Sequence, residues 1–240
     1  MEIIKYYHHR GNINELAQRY HSFARLKYAK LNNAHHLRWK DQNTDYCSFQ
    51  AQVAFFGKSG YGKSSTVNAF FGNSILKTSD VAACTRRCET LDFELSTDCY
   101  LSLSDFPGIG ESEYKDQEYL KMYGDFMKLS LVIVYVLRAD TRDYAIDQAA
   151  YQQLFSKDAD KKKVIFALNY CDKIEPINRH YTREPNREQL QNINKKISSV
   201  TDQFKPAGEI IPYSASTGWN MDKLADAIVK VLTSSGEITF

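Results

Sequence analysis

The sequence predicts a three-layer α/β fold: a six-stranded, mostly parallel sheet with helices on both faces, one antiparallel edge strand, and a helical extension in front. Three observations carry that prediction. Short apolar runs at 50–56, 99–104, 131–137, 164–169 and 209–213 alternate with stretches of helical periodicity at 63–71, 114–127, 144–155, 187–203 and 221–232, the pattern of a parallel sheet joined by crossover helices. Several runs are apolar throughout, LVIVYVL at 131–137 above all, as strands covered on both faces must be. The segment 90–95 instead alternates and meets the next strand with no helix between, so it reads as the antiparallel edge.

The N-terminal region has a different texture. Between residues 12 and 39 the apolar residues Ile13, Leu16, Ala17, Tyr20, Phe23, Ala24, Leu31 and Ala34 recur mostly at three- and four-residue steps, which predicts one or two helices. Eight basic residues and five of the six histidines lie before Phe49, so this face is open to nucleic acid, acidic lipid or protein. The plainer reading is an apolar stripe packed on the neighbouring domain. Polar 41–45 reads as a linker, dividing a basic extension, 1–47, from the main domain, 48–240.

Composition excludes several classes. A chain of 240 residues with 43% hydrophobic and 25% charged residues can bury one sizeable core, and a net charge of +2 demands no polyanionic partner. The opening MEIIKYYHHRGN lacks an apolar leader core, and no run approaches the roughly 20 apolar residues of a membrane span. The expectation is a cytoplasmic protein without a transmembrane segment. Cys47, Cys84, Cys88, Cys99 and Cys171 form no Cys-x-x-Cys pair and read as reduced thiols rather than a disulfide or zinc framework.

Directly after the first apolar run stands Gly57-Lys58-Ser59-Gly60-Tyr61-Gly62-Lys63-Ser64-Ser65, followed by helix-prone TVNAFF. This is G-x-x-x-x-G-K-S in its strand–loop–helix setting. Glycines let the backbone curl until successive N–H groups face inward, and the helix N-terminus adds positive potential, so the loop cradles phosphate oxygens. Lys63 would reach the β- and γ-phosphates, and the Ser64 hydroxyl would ligate magnesium.

Three further stretches narrow the nucleotide. Asp105-Phe106-Pro107-Gly108 ends the 99–104 run, where a carboxylate holds magnesium-bound water and the Gly108 N–H meets the γ-phosphate. Asn169-Tyr170-Cys171-Asp172 ends the 164–169 run; Asp172 can accept two hydrogen bonds from guanine N1–H and its amine, a pair adenine lacks. Ser214-Ala215-Ser216 ends the last run, where the Ala215 N–H would meet guanine O6. Singly, each of the later motifs is an ordinary turn; their order, each at a strand's end, is what points to a guanine nucleotide.

With these motifs in place, residues 49–232 resemble the translation-factor-related GTPases of the Era/septin-like superfamily. GKSGYGKSSTVNAFFG, AACTRRCET, DFPGIGES, VLRADTRD and NYCDKIEP are most similar to the bacterial YfjP/YeeP-like branch, and the first also resembles septin, Toc and GIMAP loops. The resemblance implies a Ras-like P-loop NTPase fold that binds GTP or GDP with Mg2+, with Thr85 as the switch threonine on the metal. Lys63, Thr85 and Gly108 are then the expected catalytic contacts, and Ser64, Thr85 and Asp105 the metal set. The nucleotide-binding set is residues 57–65 with Asn169, Tyr170, Asp172, Lys173, Ser214, Ala215 and Ser216.

Two departures stand out. Tyr170 replaces the usual lysine of N-K-x-D, so the base would rest on an aromatic ring or on Lys173. Ile109 stands where Ras-type enzymes carry a water-orienting glutamine and offers the attacking water no hydrogen bond; Arg86, Arg87 and Glu111 are substitutes to consider. Gly60 fills the place of the asparagine of potassium-activated relatives, which argues against potassium activation. The expected function is slow GTP hydrolysis as a molecular switch, the alternative being an assembly module that binds GTP or GDP with little turnover. A homodimer through the G-domain face or the N-terminal helix, and a protein effector, are the partners this implies.

Overall fold

The computed structural model describes residues 7–31, 36–41, 44–78, 88–97, 99–177 and 183–239. Strands are β1 (Tyr7–Asn12), β2 (Lys30–Leu31), β3 (His36–Asp41), β4 (Thr44–Phe56), β5 (Glu89–Ser96), β6 (Cys99–Asp105), β7 (Val132–Arg138), β8 (Val164–Asn169), β9 (Ile210–Pro212) and β10 (Ile238–Thr239). Helices are α1 (Ile13–Arg19), α2 (Lys63–Phe71), α3 (Glu113–Met127), α4 (Ala145–Leu154), α5 (Asp158–Lys161), α6 (Arg187–Phe204) and α7 (Met221–Ser234).

The main sheet runs β1-β5-β6-β4-β7-β8-β9, with β3 paired to the first part of β4. β6, β4, β7, β8 and β9 are mutually parallel. The central strands are apolar because helices cover both faces: all six residues of β8 are buried, as are six of the seven in β7. On α7, Met221, Leu224, Ala225, Ile228, Val229 and Leu232 are buried, the 3-4 spacing that lays one helical stripe on a sheet. Asn186 caps α6 by accepting the Gln189 N–H at 2.9 Å, closing one orphan donor of its first turn.

Two expectations need correcting. The antiparallel β5–β6 pair is present, but β5 is not the edge: β1 pairs with it in parallel from Tyr7↔Glu89 to Asn12↔Glu94. The polar YHHRGN carries no apolar strand signal, since an outer strand needs only backbone pairing. Gly11 permits the close fit, for a Cβ there would come within 2.8 Å of Phe71 and 2.5 Å of Phe93. The second correction concerns the extent of the helical region expected over 12–39: two helical segments are present, but Lys30–Leu31 and His36–Asp41 are strands. α1 stops at Arg19, and His21–Leu26 is a 3-10 turn in which Phe23 and Leu26 are buried. Their step of three suits 3-10 geometry. Asp41 and Asp45, at the two ends of the stretch read as a linker, belong to the antiparallel β3–β4 pair, opposite Thr44 and Lys40, and the 47/48 boundary falls within β4.

The N-terminal region packs against the helix that follows the phosphate-type loop. Phe23 and Tyr20 meet Phe70 edge-on at 5.9 and 5.2 Å, and Tyr20 Oη donates to the Ala69 carbonyl at 3.2 Å. Arg19 donates to the carbonyls of Phe70 and Phe71, satisfying acceptors that α2 leaves open at its C-terminus. Cys88, Cys99 and Cys171 are buried thiols.

Candidate functional site

The C-terminal ends of β4, β6, β8 and β9 deliver the four motif segments to one rim of the sheet. Register accounts for this: parallel neighbours end together, with Phe55 opposite Asp105, Arg138 opposite Asn169, and Leu168 opposite Pro212.

In the loop after β4, Gly57, Gly60 and Gly62 hold φ of 136°, 77° and 82°. Side chains at the first and third would also collide, with the Val136 carbonyl and the Asn169 amide respectively. α2 begins at Lys63, with Gly62 as its left-handed N-cap. Lys63 is buried, and its Nζ donates to the Gly57 and Lys58 carbonyls, both at 3.0 Å. Burial pushes its pKa below the usual lysine value, opposed by the charges of Asp105, Asp147 and Glu111. The ammonium thus bridges two carbonyls at the loop's mouth and can exchange them for stronger phosphate acceptors.

The Asp105 segment closes onto this loop. Ser64 Oγ donates to Asp105 Oδ2 at 2.5 Å, and Ser59 N–H donates to the Ile109 carbonyl at 2.8 Å. A Cβ at Gly108 would strike the Ser59 backbone and stand 2.8 Å from Lys63 Nζ. From α3, Tyr123 Oη reaches the carbonyls of Pro107 at 2.6 Å and Gly57 at 3.3 Å, pinning both loops. Ser64 and Asp105 present a hydroxyl and a carboxylate side by side, oxygen donors of the kind magnesium takes beside nucleotide phosphates. Among the described residues no cluster of three His, Cys, Asp or Glu side chains offers an all-protein metal site.

At the other end, Asn169 joins two segments: its Nδ2 donates to the Tyr61 carbonyl at 3.1 Å and its Oδ1 accepts the Ala215 N–H at 3.0 Å. The Ala215 amide expected at guanine O6 is therefore spent on Asn169 in this structure. Asp172 accepts from Ser214 Oγ at 2.8 Å and from Ser216 Oγ at 3.4 Å, with Lys173 Nζ 3.6 Å away. Tyr170 sits in the left-handed region at φ 62°, with its ring beside Gly62.

Lys63, Ser64, Asp105 and Gly108 are thus brought together, and Asn169, Tyr170, Asp172, Lys173, Ser214, Ala215 and Ser216 form a second group beside Gly62. Thr85, Arg86 and Arg87 lie outside the described residues. Glu111 is paired with Lys115 at 2.8 Å. Ile109 is buried, and its side chain contributes packing only. Sequence reasoning missed Tyr123 and Asp147, the latter accepting from Tyr61 Oη at 3.2 Å. Both sit at buried helix positions whose apolar neighbours mask any polar role.

A glycine loop around a buried lysine, a Ser–Asp pair and an Asn-x-x-Asp turn on one sheet rim define a P-loop GTPase. The sequence profile of the family described as 50S ribosome-binding GTPase matches residues 52–170. The chain is 33% identical over 196 residues to YkfA of Escherichia coli K12, covering 81% of this chain and 67% of that protein. It is 32% identical over 185 residues to YfjP of the same organism, covering 77% and 63%. The crystal structure of Era from Aquifex aeolicus bound to GDP and aluminium fluoride superposes with a TM-score of 0.61 at 24% identity, covering 76% of this chain and 57% of that one. The chain belongs to the family of GTP-binding P-loop GTPases, and it spans about two thirds of the length of the two relatives from Escherichia coli.

Proposed function

We propose that this chain binds GTP and GDP with Mg2+ and hydrolyses GTP slowly, working as a switch in the cytoplasm. The observation that carries this is Lys63, buried in a left-handed glycine loop with its ammonium on two loop carbonyls, beside the Ser64–Asp105 pair. In this reading the phosphates would replace the Gly57 and Lys58 carbonyls on Lys63, and Ser64, Asp105 and Thr85 would hold the metal, which would supply positive charge beside the phosphates. The Gly108 N–H would meet the γ-phosphate. Asp172 turns from Ser214 and Ser216 to the guanine edge, with Tyr170 and Lys173 alongside.

Water attacks the γ-phosphorus and the bond to the β-phosphate oxygen breaks. Ile109 cannot orient that water, so turnover by the isolated chain falls on the order of 10⁻⁴ to 10⁻³ per second, as in small GTPases without an activating partner. Arg86, Arg87 or a partner's group would supply the missing charge. Residues 48–240 carry this chemistry, and a second copy would be engaged through the G-domain face or the N-terminal helix, alongside a protein effector.

Phosphate release measured against protein concentration tests the reading. Slow release that is lost in Lys63→Ala is expected, and a rate per molecule that rises with concentration identifies activation by a second copy. GTP turnover that persists unchanged in Lys63→Ala overturns the site assignment; guanine-nucleotide binding without turnover at any concentration leaves an assembly module instead of an enzyme.

A further inference from the structure

The substitution of tyrosine for lysine at position 170 has a counterpart elsewhere in the fold. The Arg138 guanidinium lies over the Tyr170 ring, 4.3 Å from its centroid. It is held there by a two-pronged ion pair: Nε to Asp140 Oδ1 at 2.6 Å and Nη2 to Asp140 Oδ2 at 2.9 Å. The planar guanidinium matches carboxylate and aromatic faces together, as a lysine cannot.

The backbone fixes both partners. Arg138 ends β7 directly opposite Asn169 of β8, the Ala139 N–H donates to the Asn169 carbonyl at 2.8 Å, and Tyr144 Oη donates to the Arg138 carbonyl at 2.7 Å. Tyr170 holds φ 62°, a left-handed conformation that a bulky non-glycine residue seldom adopts. That turn lays the ring against the phosphate loop: a Cβ on Gly62 would lie 3.2 Å from Tyr170 Cε2. Two residues on, Asp172 is the middle residue of the short 3-10 turn that Tyr170 opens.

We propose that Arg138, clamped by Asp140, is a positioning residue for the purine, fixing the Tyr170 ring as the platform on which guanine stacks. This rests on the guanine-nucleotide reading above. Stacking on a π face tolerates any base, so the platform contributes affinity while Asp172 chooses guanine. Arg138 acts through Tyr170 and touches neither phosphate nor metal, so its effect is confined to ligands that carry a base.

The test is calorimetric titration of the full chain and its variants with GDP and with inorganic pyrophosphate. Arg138→Ala is expected to weaken GDP by roughly three- to tenfold, the range of a single cation–π contact, and to leave pyrophosphate affinity unchanged. Asp140→Asn, which loosens the clamp but keeps the guanidinium, weakens GDP in the same direction and less. In a Tyr170→Lys background, where a lysine stem replaces the ring, Arg138→Ala changes GDP affinity by less than about twofold. An equal loss in both backgrounds, a matching loss for pyrophosphate, or no loss for either single variant overturns the proposal and leaves the guanine-nucleotide reading intact. Wild-type chain that binds pyrophosphate but not GDP defeats that reading itself.

Discussion

Gly62 is where the two halves of the site meet. Its φ of 82° and the Asn169 amide against its Cα leave no room for a methyl group, and that amide joins the Tyr61 carbonyl to the Ala215 N–H. Gly62→Ala is therefore expected to lower stability by about 1–3 kcal/mol, the worth of a buried polar group left unpaired, and to weaken GDP binding at least about tenfold. Gly60→Ala is the control, since φ is 77° but nothing lies within 4 Å of the added carbon; only the backbone term of about 1 kcal/mol applies. Denaturant midpoints and GDP titrations compare the two, and equal effects would contradict the contact with Asn169. At this scale the sequence was informative where a residue type is forced. Glycines with positive φ, Lys63 and Asp172 are legible from spacing. Arg138 and Tyr123 are not, because their roles come from the register of β7 with β8 and from the approach of α3 to the phosphate loop.

α4 shows how an element can act on the site from behind. Its Asp147 is buried, accepts from Tyr61 Oη at 3.2 Å, and receives a hydrogen bond from Tyr135 on its backbone carbonyl at 3.2 Å. Its Oδ1 has no hydrogen-bond partner. Burial pushes its pKa from the ordinary 3.8 to about 6, against the lowering effects of the Tyr61 hydroxyl and of Lys58 and Lys63. A carboxyl whose folded pKa is raised contributes stability that is present at low pH and lost as pH rises between about 4 and 6. Above that window the buried charge costs on the order of 3 kcal/mol. Asp147→Asn, which keeps an acceptor for Tyr61, is expected to be more stable than the wild type at pH 8 and to converge with it near pH 4. A stability difference independent of pH would contradict this. The N-terminal elements were least legible for a related reason: β1 pairs through its backbone, and the spacing of Phe23 and Leu26 fits either helix type.

At the scale of the whole molecule the fold was legible because its physics is coarse. Strands buried on both faces must be apolar, helices covering them must carry a stripe, and parallel connection sends every strand-to-helix loop to one rim. Spacing therefore placed the C-terminal ends of β4, β6, β7, β8 and β9 within about one residue, although β4 begins six residues before the expected 50–56, and four of the five strand ends carry the motifs. No helix among the described residues is long and apolar enough to cross a membrane. The central claim is that this rim grips a triphosphate through Lys63 and reads its base through Asp172. Calorimetric titration of the wild-type chain with GTP, GDP, ATP and ADP in magnesium tests it most directly. Both guanine nucleotides should bind, and both adenine nucleotides should bind weaker by roughly 10⁴-fold, since adenine leaves a hydrogen-bonding site unpaired. ATP binding as tightly as GTP, or no heat with either guanine nucleotide, would contradict the account.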